Sequence, residues 1–236
     1  NMEHKGEFVH DPNPLVDVER FLFYRNGIFA GYRMDFTFRQ SVEGKQFLEY
    51  ELFRALGGYL VVLADGRLSP CFFFPPAGLS NLSVFNERNI SMLPGVERHP
   101  LINQVTFRMD YDGSKFLTEL LFIDAPSLDQ FGLAGQHTIE SKGMSLGRGG
   151  AALAGLTATR IFRRYAGLNP ATGQANGGAV IFTVKSHFMT LTAEVGDFVF
   201  LSHSLLPDFE TGRRGVTNRI CEVIERQPNF AEGTMT

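Results

Sequence analysis

The sequence contains no tryptophan, only two cysteines and almost no excess of charge, with 22 basic residues against 25 acidic ones and a formal charge of −3. Cys71 and Cys221 cannot staple a fold between them, and neither stands in a C-x-x-C or histidine-paired spacing. A disulfide scaffold and a zinc module are therefore excluded, and buried free thiols are expected. A chain this near neutrality is not built to coat nucleic acid. No apolar run approaches the ~18–20 residues a membrane helix needs, so no membrane span is expected. Asn1 to Asp11 is polar and holds no signal-type apolar stretch. Also missing are a phosphate loop, a G-x-S-x-G elbow and paired histidines in metalloprotease spacing.

What is present is core material. The 236 residues are 44% hydrophobic and include 23 phenylalanines. Surface scaling for this mass gives roughly 10,600 Å² exposed when folded, against roughly 38,000 Å² unfolded, so a substantial core is within reach. Phenylalanine on alternating positions suits sheets. The fold class expected is α+β, mainly antiparallel β and barrel-like, with two main helices over about 44–56 and 145–166.

Asp11-Pro12-Asn13-Pro14 closes a solvated lead-in. Phe21 to Tyr24, the Asn26-Gly27 pair and the alternating Ile28, Ala30, Tyr32, Met34, Phe36 and Phe38 read as a hairpin with one wet face. Phe47, Leu48, Leu52, Phe53 and Leu56 share a helical face that Gly57-Gly58 ends. A second hairpin runs over 59–74 around Asp65-Gly66, closed by Pro75-Pro76, with Pro70 at an edge or strand start. Residues 77–100 read as a long connection, with a soft boundary between a β-rich unit over 1–98, readable as part of a discontinuous barrel, and a second β-barrel-like unit over 99–236. Strands follow over 104–111 and 116–123, and Ala125-Pro126-Ser127 opens a loop. Over 145–166, Gly147, Ala151 and Gly155 repeat four apart, as do Ala154 and Ala158, so that helix can lie close against a neighbour. Asn169 to Gly178 reads as a glycine-rich surface loop. Residues 180–188 alternate, 195–201 form a turn and an apolar strand, 202–215 a polar loop, and 216–226 a last strand. The ending at Thr236 looks cut inside a strand.

Catalytic candidates are sparse. Asp110 with Asp112, or Glu222 with Glu225, offer carboxylate pairs of the kind that cleave sugars, but solvated charges at strand ends are the ordinary alternative. His187 and His203 could meet across adjacent strands near Asp197 or Asp208. Gly147-Arg148-Gly149-Gly150 opens a helix and could hold an anion. Arg160, Arg163 and Arg164, together with Arg213 and Arg214, make the most compact basic cluster and are the candidate contacts for an anion or a partner. No catalytic residue, metal site or cofactor is assigned.

Several blocks in one order carry a resemblance. They are Leu101-Ile102-Asn103-Gln104-Val105, Ile139 to Met144, the Ala-rich helix ending Arg163-Arg164-Tyr165-Ala166, Leu191 to Leu201 with Val195-Gly196-Asp197-Phe198-Val199, His203 to Asp208, and Arg219 to Ile224. Over about 100–236 the chain resembles the tail-tip or baseplate hub proteins of tailed bacteriophages, prophages and gene transfer agents. Residues 45–75 look like their upstream element. The resemblance implies a fragment of a longer, non-enzymatic hub chain that forms a homo-oligomeric ring, a trimer, in the virion tail tip. It would be assembled in the host cytoplasm against neighbouring tail and tip proteins, with DNA and tape-measure protein passing through without specific binding. A carbohydrate- or receptor-binding β-domain and a cell-wall-degrading domain are the competing expectations.

Overall fold

Asp17 starts a helix where the sequence suggests a hairpin. Its side chain accepts from the Arg20 backbone N–H at 3.2 Å, Glu19 lies in the first turn and Arg25 in the last, which fixes α1 over Val18–Asn26. The computed structural model describes residues 15–38, 41–72, 82–167, 178–187, 193–209 and 211–236. The lead-in to Pro14, Phe74-Pro75-Pro76, the glycine-rich segment over 169–177, Phe188 and Leu191 lie outside them.

After α1 the expected alternation is real but the strand is not. Tyr32, Met34 and Phe36 turn inward while Arg33, Asp35 and Thr37 face water, yet the segment joins no ladder. Its bond from Asp35 N–H to the Gly143 carbonyl, at 2.9 Å, ties it instead to the loop before the long helix. Helical backbone runs through 44–56 as expected, with a wide π-helical stretch at Phe47–Phe53 between α2 (Gly44–Gln46) and α3 (Arg54–Leu56). Gly57 ends it in the left-handed conformation, φ 66°. The hairpin β1 (Gly58–Val62) and β2 (Leu68–Phe72) follows in the expected place.

The connection read over 77–100 contains two strands within its described part, β3 (Ser83–Phe85) and β4 (Ile90–Arg98). Composition hid β4 because its register slips between Ile90 and Gly95, where a Pro-Gly-containing stretch is tolerated. Then come β5 (Gln104–Tyr111) and β6 (Phe116–Ile123), as expected. Ala125-Pro126-Ser127 is no loop: Asp124 caps the Ser127 N–H at 3.0 Å, Pro126 lies in the first turn, and Gly132 closes α4 (Ala125–Phe131). Next are β7 (Gln136–Glu140) and a 3₁₀ turn at Leu146–Arg148, which leads into α5 (Gly150–Tyr165). The remaining strands are β8 (Val180–His187), β9 (Phe198–Asp208), β10 (Arg213–Glu222), β11 (Pro228–Asn229) and β12 (Thr234–Met235). Most of the expected polar loop over 202–215 is thus strand, because β9 and β10 pair along nearly their whole length. The polar residues belong to a ladder whose outer face is wet.

Pairing is mainly antiparallel, which with the helices gives an α+β fold. The sheets are β1-β2, β10-β9-β3, β11-β12-β8-β4 and β6-β5-β7, and no closed barrel forms among the described residues. The parallel pairs are β3 with β9 and β5 with β7.

Two cores hold these layers. In the first, Val105, Phe107 and Met109 of β5 pack with Ile139 and Met144 against Leu153, Ala154, Ala158 and Ile161 of α5. The small-residue stripe brings the helix close: a β-carbon on Gly155 would lie 3.4 Å from the Phe122 ring of β6. Burying a side chain such as Phe107 contributes about 1.5–3 kcal/mol. The second core joins Phe85, Ile90, Ala193, Val199, Leu201, Leu206 and Val216.

Candidate functional site

Between the β8 sheet and the β9–β10 sheet, beside the C-terminal half of α5, lies a cleft of about 1310 Å³. Val180, Phe182 and Val184 form one wall, and Val199, Leu201 and Val216 the other. These are residues of the second core and its margin, so the cleft is a partly uncovered edge of that core.

The basic candidates meet the cleft differently. Arg160, Arg163 and Arg164 all line it, as positions three and four apart on one helix must. Arg160 turns inward and is buried; its Nη1 donates to the Leu56 carbonyl at 3.4 Å and its guanidinium lies 5.5 Å from the Phe29 ring centre. Burial pulls its pKa down to about 10, which leaves it charged at neutral pH. Arg164 donates to Glu222 of β10. Arg163 points to solvent, with no ion-pair partner among the described residues. Arg213 and Arg214 are exposed at the start of β10 and do not line the cleft themselves. Their register partners Asp208 and Pro207 do. Phe209 links the two groups: Arg98 sits 4.2 Å over its ring, and His99, the residue after Arg98, packs at an angle on Tyr165 of α5 with ring centres 4.5 Å apart.

The sequence singles out Glu222 only as half of a carboxylate pair with Glu225, and the structure builds a different polar centre around it. Glu222, with its side chain only 8% exposed, accepts from the Tyr59 hydroxyl of β1 and from Arg164 of α5, so three elements meet at one carboxylate. Burial first, and then the bond to Glu222, holds the Tyr59 phenol far above its ordinary range. Cys71 lies alongside, its thiol directed at the Val195 carbonyl at 3.8 Å and pushed up to about 11 by burial. The Cys221 thiol is pushed up to about 11 for the same reason. Both cysteines are free. The sequence signals for this centre were Glu222, named as a carboxylate candidate, and the apolar setting of Cys71.

The other candidates have structural partners. Asp110 adopts φ 56° and accepts from the Leu146 N–H at 3.2 Å, anchoring the turn before α5. Asp112 caps its own hairpin turn through Ser114 and Lys115. Glu225 accepts from the Gln227 amide. His187 and His203 do not face each other on adjacent strands: β8 pairs with β4 and β12, whereas β9 pairs with β10 and β3. No group of three metal-ligating side chains occurs among the described residues. No described helix is long and apolar enough to cross a membrane.

No protein-family model matches the chain, and no curated protein does. Among solved structures it is similar to one described as "The crystal structure of the tail protein from Neisseria meningitidis MC58". That similarity has a TM-score of 0.41 and 16% identity, and covers 78% of this chain and 50% of that one. The chain therefore spans about half the length of this neighbour.

Proposed function

We propose that the chain is a structural subunit of a phage-like tail, a tail-tip hub that assembles with copies of itself into a threefold ring and performs no catalysis. The observation that carries this is apolar surface left uncovered on regular elements. Leu117, Leu121 and Ile123 of β6 are 61%, 56% and 46% exposed, and Leu22 and Phe23 of α1 are also exposed. Uncovered apolar rows on regular elements are the mark of surfaces awaiting a partner. The ordered sequence blocks support the same reading, since they fall on framework: Leu101–Val105 enters β5, Val195–Val199 turns into β9, and Arg219–Ile224 continues from β10.

Copy number in purified tails is the test. Quantitative mass spectrometry against a tail-tube protein is expected to give three copies per particle; one or two copies would end the ring proposal, and absence from tails the tail role. Turnover of purified peptidoglycan by the chain would overturn the non-catalytic assignment.

A further inference from the structure

We propose, resting on the subunit role above, that the arginine-rimmed cleft is a socket for the β6–α4 edge of a second copy of this chain. The contact is head-to-tail, with one copy's edge entering the next copy's cleft.

The two surfaces match in character and in charge. Arg164 is held by Glu222, Arg219 by Asp208 at 2.9 Å and Arg226 by Glu194 at 2.5 Å. Besides its apolar wall, the socket presents the exposed Arg163 and Glu225, with Arg213 and Arg214 on the adjoining hairpin, so its rim stays net basic. On the other surface, β6 is an edge strand whose inner face meets the core. Its outer row presents Leu117, Leu121 and Ile123, and α4 follows at once with exposed Asp129 and then Leu133, 64% exposed. Glu119 of the same row is already bonded to Arg108, so Asp129 is the carboxylate on offer. An apolar, acidic edge and an apolar, basic cleft are complementary.

The same molecule cannot join its own pair. Phe122, an inward residue of β6, lies against α5 where a β-carbon on Gly155 would touch its ring at 3.4 Å. The outward row therefore points away from α5, while the cleft lies along α5. Two different patches meeting between copies make a heterologous contact, the kind that closes into rings.

Sedimentation velocity on the whole chain tests this. The wild type is expected to associate with rising concentration, and Arg163→Glu and Leu121→Asp each to weaken association about tenfold or more. Both positions are exposed, so thermal melts should match the wild type; Leu121→Ser provides a milder second variant. Mixing the two variants should yield a 1:1 dimer that grows no further, because an intact edge on one meets an intact cleft on the other. Asp129→Arg combined with Arg163→Glu should recover association. A wild type that stays monomeric, or a mixture that does so, as two-fold β6–β6 pairing would give, overturns the contact. Association that neither variant changes also overturns it, yet leaves the subunit role standing, since that role is judged by copies per tail.

Discussion

Gly196, in the turn before β9, packs so closely on Cys71 of β2 that a β-carbon there would lie 2.1 Å from the Cys71 sulfur. The turn also has φ 89° at Gly196, a conformation that L side chains rarely adopt. Gly196→Ala is therefore expected to cost about 2–4 kcal/mol, part from strain and part from the clash. Adding Cys71→Ala should return only the clash part. Urea denaturation of the two variants checks both values; a Gly196→Ala chain as stable as the wild type would contradict the packing.

The Tyr59–Glu222–Arg164 centre predicts unequal losses. Tyr59→Phe removes one donor and leaves the cation in place, so about 1 kcal/mol is expected. Arg164→Met strands a nearly buried carboxylate and is expected to cost about 3 kcal/mol or more. Arg164→Met with Glu222→Leu should recover much of that loss. Equal losses for Tyr59→Phe and Arg164→Met in the same denaturation series would contradict the geometry.

The thiols set a pH signature. Burial raises both folded-state pKa values from 9.0 to about 11. A group whose folded pKa is raised gives stability that is complete below the unfolded pKa and lost as pH climbs through the folded one. Cys71 and Cys221 should therefore draw stability down between pH 9 and 11. A chain with both changed to alanine should show a shallower decline. At neutral pH the native thiols are expected to react with a disulfide reagent about a hundredfold more slowly than free cysteine. Fast labelling without unfolding would show the thiols to be more open than the packing allows.

Much of the framework was legible because local periodicity and burial agree there. In β5, Val105, Phe107 and Met109 are wholly buried, and in α5 the small residues face the sheet as their spacing requires. Legibility failed where an aromatic run hid a cap. Phe21 to Tyr24 has strand composition, but Asp17 and Glu19 begin a helix, and local capping outweighs the weak preference of three aromatics and a leucine. It failed again in β3 and β4, which are strands only because β9 and β8 lie beside them. Of the candidate site, the arginine spacing on α5 was readable, since 160, 163 and 164 share a helical side. Glu222 was readable only as a carboxylate beside Glu225: its partners Tyr59 and Arg164 lie far along the chain, and no local pattern marks a carboxylate as the meeting point of three elements.

The parallel pairing of β3 with β9 has a consequence for how the chain matures. Ser83 finds its neighbour Val199 only after more than a hundred further residues have been added. A ribosome making this protein releases β5, β6, β7 and α5 together well before that partner exists, and closure over so long a span is slow. The β5-centred layer is thus the unit that matures first, and the β9 and β8 sheets, with the cleft between them, are completed last.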